Sequence, residues 1–304
     1  MRGGRNLGAV QLLLAAGLWV ALGAIVWIQL TRLEPDIDPA HRRVLLLTVD
    51  TLRADHVSSA PHGPAQTPFL DGLFAQGQVF ERAVTPIPRT TQALASLLTG
   101  AYPHTTRVRG LSDTLAPEVV SVAELFRARG YRTIAVVSNH VLRPKRGLTR
   151  GFEVYDYAGD ARGAEATTRA ALAHLDALDE DEPVFLWVHY IDPHVPYSPP
   201  PELVELFDPD YEGPYRERFG GEPGATGPHA FPPDLPKRIA IYRNPLPEPV
   251  NEHIRKLYAA EVRGTDESIV DLVDGLERHG GPWSIVFTAD HGESLGEHDY
   301  YWEH

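Results

Sequence analysis

The amino-acid sequence predicts an α/β protein with a largely parallel sheet sandwiched by helices. Short continuous apolar runs, as expected of strands buried on both faces, recur at 44–50 (VLLLTVD), 133–139 (TIAVVSN), 184–190 (VFLWVHY) and 284–290 (SIVFTAD). Helical patterns alternate with them, which is the signature of strand–helix–strand crossovers. Two of the runs finish on Asp and a third has His one residue from its end, and in open parallel sheets ligands sit beyond the carboxyl ends of the strands.

Taken in order, residues 7–30 are apolar except for Gln11 and Gln29. At 1.5 Å per residue such a helix spans about 36 Å, enough to cross a ~30 Å hydrocarbon core with some tilt. Residues 1–31 are therefore expected to be a membrane anchor. A cleaved signal peptide is the rival, because small residues at 21–24 offer a cleavage site; the unbroken length favours the anchor. The short basic head, Arg2 and Arg5, is expected to stay in the cytoplasm. That orientation gives a single-pass protein of the cell membrane with its catalytic domain in the periplasm or outside the cell. Residues 32–43 read as a polar, Pro-containing linker, and 44–304 as the body.

Within the body, Thr67 and Pro68 open a helix that Gly77 stops, and Ser121 with Glu124 has capping-box spacing before another. Helical patterns also cover 164–178 and 254–280, while a Pro-, Gly- and Tyr-rich stretch at about 195–250 is too long for a simple connection. The formal charge of −13 argues against a nucleic-acid partner. The absence of cysteine excludes disulfides, thiolate metal ligands and a cysteine nucleophile.

The chemistry concentrates at three strand ends: Asp50, the HYIDPH segment at 189–194, and Asp290 with His291. Carboxylate oxygen with imidazole nitrogen suits zinc or manganese, whereas an all-oxygen set would suit magnesium or calcium. Thr90 and Thr91 precede an apolar helix that Gly100 ends. Thr90 reads as its N-cap, and the same position places a hydroxyl beside free N–H groups that attract anions. His189 lies inside an apolar strand and reads as a satisfied core histidine. His104 reads as a loop residue, Glu293 and Glu297 as a solvated or capping face, and Glu261 and Asp266 as surface or structural positions.

These segments resemble the sulfatase family of the alkaline phosphatase superfamily. The matching pieces are LLLTVDTLRADH, TPFLDGLFAQGQVFERAVT, ASLLTGAYPH, ARGYRTIAVVSNH, RGFEVYD, FLWVHYIDPHVPY and VFTADHGESLGEH, in family order from about residue 44 onward. The resemblance implies a divalent metal, zinc foremost, with manganese, calcium or magnesium as alternatives. It implies Asp50, Thr90, Asp290 and His291 as ligands, Thr90 as nucleophile, and His140 and His194 as further catalytic groups. His194 and His304 would contact the transferred group or a second metal. It also implies further strands after the last motif, so that 44–304 would be an incomplete catalytic domain.

The departures concern the substrate. Thr90 stands where sulfatases carry the Cys or Ser that becomes formylglycine, Leu94 where they carry Arg, Ser138 where they carry Lys, and Thr51 where they carry a second Asp. Ser96 is also available but lies six residues further on, on the side of the helix expected to be buried. A Thr nucleophile with Asp, Asp and His ligands resembles the phosphoethanolamine-transferase-like and phosphodiesterase members, so phosphate esters are expected ahead of sulfate esters, by hydrolysis or transfer. A sulfuric-ester hydrolase of atypical mechanism and a catalytically degenerate anchored binding protein are the alternatives. The anchor alone points to a lipid-linked or envelope substrate.

Overall fold

Strands β1 (Arg43–Val49), β2 (Arg132–Val137), β3 (Val154–Tyr157), β4 (Val184–Tyr190) and β5 (Trp283–Ala289) form one sheet in the order β3-β2-β4-β1-β5. Every neighbouring pair is parallel, as the alternation of strand and helix predicts. The computed structural model describes residues 42–57, 63–159, 162–179, 182–220 and 246–303. Residues 1–41, which hold the expected anchor and most of the linker, lie outside the described residues, as do 221–245 of the Pro-rich stretch. Among the described residues no helix is long and apolar enough to cross a membrane.

The helices are α1 (Pro68–Gln76), α2 (Thr90–Thr99), α3 (Pro103–Thr106), α4 (Val122–Arg127), α5 (Ala164–Leu175), α6 (Pro201–Phe207) and α7 (Glu248–Arg278). Alternation along the buried strands sends Leu45, Leu47, Val49, Ile134, Val136, Leu186 and Val188 into one core with Ile254, Leu257, Ile269 and Leu272 of α7. Each such aliphatic side chain contributes about 1.5–3 kcal/mol when fully buried. On the opposite face Phe126 of α4 stacks on Phe185, which also stacks on Phe152. All seven residues of β4 are buried, whereas β5, the outer strand, is only half-buried.

The three predicted caps fare differently. Ser121 and Glu124 form the reciprocal capping box of α4. Thr67 makes no side-chain cap to α1; the Asp266 carboxylate of α7 instead accepts the N–H groups of Phe69 at 3.2 Å and Leu70 at 2.9 Å. A charged acceptor complements the positive end of the helix better than a hydroxyl does. Thr90 is likewise not an N-cap: Arg89 holds that place and Thr90 is the first helical residue. Gly100 closes α2 in the left-handed region at φ 65°. The four-residue β3, short and half-buried, has no strong apolar run to announce it.

Glu261 and Asp266 are structural, as expected, but buried rather than on the surface. Glu261 accepts the N–H of Ser198 and so ties α7 to the segment that follows β4. Burial, and then the nearby charge of Asp192, pushes the Glu261 carboxyl up to about 8 from an ordinary 4.5. An acid raised on folding keeps its proton in the native state after the unfolded chain has lost it. Stability therefore falls as pH rises from about 4.5 to about 8. Glu261→Gln is expected to remove that dependence. Thermal melts should show no gain for the variant at pH 5 and a gain of several degrees at pH 8.5, since about 1 kcal/mol moves such a domain by roughly 2–4 °C.

Candidate active site and metal centre

β1 lies between β4 and β5, and its carboxyl end brings together residues distant in sequence. Asp50 directly follows β1, Asp290 and His291 directly follow β5, and His189 is the penultimate residue of β4. All four are buried. Asp290 is aimed by two backbone donors, the N–H of His291 at 2.8 Å and that of Thr51 at 3.2 Å, both to Oδ1. Thr51 adopts φ 53° to make this contact, a costly conformation for a β-branched residue and one found where function over-determines the backbone. Tyr258 of α7 braces the same turn by donating to the Thr51 carbonyl and accepting from the Arg53 N–H. Asp50 is aimed by Asn139, whose Nδ2 donates to Oδ2 at 2.5 Å while its Oδ1 accepts the Val141 N–H.

Three buried atoms in this cluster have no hydrogen-bond partner: Asp50 Oδ1, Asp290 Oδ2 and His189 Nε2. Leaving such atoms bare is costly. One donor atom from each of these residues lies within 4.8 Å of the others. Two carboxylates and an imidazole left open toward one point fit a divalent cation, and the mixed oxygen and nitrogen set fits zinc or manganese.

Electrostatics agree. Burial pushes the Asp50 carboxyl up, but the imidazoles of His189, His194 and His291 outweigh it and leave Asp50 below the ordinary carboxylate range. Burial and then the charge of Asp50 hold Asp290 well above that range. Two carboxylates at one point do not both ionise without a counter-charge.

Thr90 presents a hydroxyl to this cluster from the helix side. Its Oγ1 lies 3.2 Å from His291 Nε2, at the first turn of α2. The other ring nitrogen of His291, Nδ1, faces the Gly292 carbonyl at 2.9 Å and must donate to it. Nε2 is thus the lone-pair nitrogen and accepts the Thr90 proton. It also lies 3.3 Å from Asp290 Oδ2 and 3.8 Å from Asp50 Oδ1. Burial pushes the His291 ring down, toward its neutral form. A cleft of about 1060 Å³ opens onto Asp290 and His291 and runs past Val84, Leu97 and Tyr102.

A family model described as Sulfatase matches residues 42–304. The chain belongs to the sulfatase family. It is 27% identical over 314 residues to iduronate 2-sulfatase of Homo sapiens, covering 84% of this chain and 55% of that protein. It is 26% identical over 297 residues to an ulvan-active sulfatase of Formosa agariphila, covering 88% and 53%. Among solved structures, the phosphonate monoester hydrolase of Agrobacterium radiobacter matches with a TM-score of 0.68 at 19% identity, covering 84% of this chain and 64% of that one. The chain spans just over half the length of these curated relatives.

The sulfatase-family chain thus brings Asp50, Thr90, Asp290 and His291 into one buried site, as the resemblance implies. His194 stands half-buried nearby, its Nδ1 against the Val195 carbonyl, close enough to bias Asp50. His140 is exposed at the start of a 3-10 turn, outside the buried cluster. His304 lies outside the described residues. Ser96 of α2 lines the cleft. Glu293 is buried and Glu297 pairs with Arg53, so neither is simply a solvated face.

His189 and Asn139 are the residues that sequence reasoning missed. His189 is not a satisfied core histidine, because its Nε2 makes no hydrogen bond. The usable signal was its position one residue from the end of a strand that neighbours β1.

Proposed function

We propose that this chain is a metal-dependent sulfuric-ester hydrolase of the sulfatase family that uses Thr90 in place of the usual aldehyde-bearing nucleophile. The observation that supports it best is the Thr90 hydroxyl at the first turn of α2, 3.2 Å from His291 Nε2 and beside the bare carboxylate oxygens. The relatives, named as sulfatases, move the weight from phosphate to sulfate esters.

In this reading Asp50, His189 and Asp290 would hold the cation. When bound, it would supply Lewis-acid polarisation of the ester oxygens and lower the cost of ionising a hydroxyl. His291 Nε2 receives the Thr90 proton, and Thr90 Oγ1 attacks sulfur as the bond to the leaving alcohol breaks. The free N–H groups of the first turn of α2 stabilise charge on the transferred group. Protonated His194, half-buried nearby, gives its proton to the leaving oxygen. Water then attacks the sulfo-threonine, and Thr90 Oγ1 leaves and regains the proton held by His291. Of the two water protons, one restores His194 and the other passes to solvent with release of sulfate. Anchoring through residues 1–31, with the body outside the cytoplasm, completes the proposal and rests on the sequence alone.

A phosphate-ester reading is favoured by the Thr hydroxyl itself, which needs no conversion to an aldehyde. The deciding experiment compares 4-nitrophenyl sulfate, 4-nitrophenyl phosphate and bis(4-nitrophenyl) phosphate with zinc, manganese, calcium or magnesium present. The expected result is a kcat/KM for the sulfate at least about tenfold above either phosphate, a gap of about 1.4 kcal/mol. The reverse order supports phosphorus chemistry, and no turnover together with no stoichiometric metal supports a binding protein.

A further inference from the structure

The buried contacts of Thr48 specify which nitrogen of His189 is free. Thr48 and His189 are register partners across β1 and β4, and Trp187 lies two residues before His189 on the same face. All three side chains are buried. Three groups converge on one hydroxyl. Trp187 Nε1 lies 2.9 Å from Thr48 Oγ1, His189 Nδ1 lies 2.8 Å from it, and Oγ1 is placed to donate to the Val188 carbonyl at 3.3 Å.

A hydroxyl has one proton to give and two lone pairs to accept with, and an indole nitrogen can only donate. If Thr48 gives its proton to Val188, the two lone pairs receive the Trp187 and His189 N–H groups and all three contacts are made. If Thr48 gives its proton to His189 Nδ1 instead, the Val188 contact is lost. His189 Nε2 would then carry a hydrogen whose acceptor, Asp50 Oδ2, stands 3.5 Å away, a long contact on an oxygen that also receives the Asn139 amide. Only the first arrangement keeps all three contacts to the Thr48 hydroxyl.

We infer that Thr48 is a positioning residue that holds His189 as the Nδ1–H tautomer, with the Nε2 lone pair presented to Asp50 and Asp290. The inference rests on the reading of these residues as a metal centre for its purpose, though not for its geometry. A hydrogen bond to the distal nitrogen of a ligand histidine fixes both its tautomer and its ring plane, and losing such a partner weakens metal binding by roughly 10–100-fold.

The test uses nitrogen NMR of the His189 ring in the metal-free protein, together with zinc and manganese titrations. The wild-type ring is expected to show Nδ1 protonated and Nε2 bare. Thr48→Val, which keeps the shape and removes the hydroxyl, should convert the ring to the other tautomer or a mixture. It should also weaken zinc binding about 10–100-fold, while Thr48→Ser restores both. A wild-type ring protonated at Nε2 overturns the inference without any variant, as does a folded Thr48→Val protein with unchanged tautomer and zinc affinity. Because the tautomer is read without metal or substrate, inactivity toward sulfate esters would sink the proposed reaction and leave this result standing.

Discussion

Thr90→Ala is expected to lower kcat by roughly 10³–10⁶-fold, the range seen when a nucleophile is removed while the rest of a site persists. Metal content by elemental analysis should stay near that of the wild type, because the bare oxygens of Asp50 and Asp290 and the bare nitrogen of His189 remain. Thr90→Ser supplies the same hydroxyl at the same turn and should keep measurable turnover. The position matters as much as the chemistry: the hydroxyl combines the start of α2 with a neutral imidazole that can take its proton. Full activity in Thr90→Ala would remove Thr90 from the mechanism and turn attention to Ser96, a hydroxyl of α2 that lines the cleft.

Asp50→Asn is expected to abolish stoichiometric metal binding and, with it, the rise in melting temperature on adding metal. A ligand bound only by the native state stabilises it by about 2.7 kcal/mol at a hundredfold excess over its dissociation constant, and that gain should vanish. The metal-free proteins should rank the other way. Asp50 and Asp290 repel each other in a buried site; burial first, and then the charge of Asp50, raises the Asp290 carboxyl. Replacing one carboxylate relieves it, so metal-free Asp50→Asn should melt no lower than the metal-free wild type. Retention of one equivalent of metal by the variant would refute the assignment of Asp50 as a ligand.

The legible part of this protein lies where local rules suffice. Asp50 and Asp290 end apolar runs, and the capping box at Ser121 needs only a spacing of three. The four long apolar runs are strands within two residues of their predicted limits. His189 was hidden for a physical reason. β4 is buried on both faces, so alternation assigns no side to its residues. Only the register against β1 shows that this ring faces Thr48 and the carboxylates. Asn139 acts on Asp50 across 89 residues of chain, and Asp266 caps α1 across 196. Distances of that kind leave no trace in a window of neighbours. Thr90 illustrates the intermediate case: the helix start was visible, but its place as first helical residue rather than cap follows from the extended backbone of Arg89, which residue types alone do not reveal.

The order of strands in the sheet carries a consequence for synthesis. β1 emerges first, yet the strand that completes its site is β5, and the contact between Thr51 and Asp290 joins residues 239 apart. At about 5–20 residues per second, the two halves of the site leave the ribosome roughly 12–48 s apart. Throughout that interval the flank of β1 that will receive β5 is an open strand edge, a template for wrong pairing with other chains. Metal cannot shorten the wait, since Asp290 does not yet exist. The nascent chain must therefore hold β1, β2 and β4 together by hydrophobic burial and their backbone ladders, before the catalytic centre can contribute any stability.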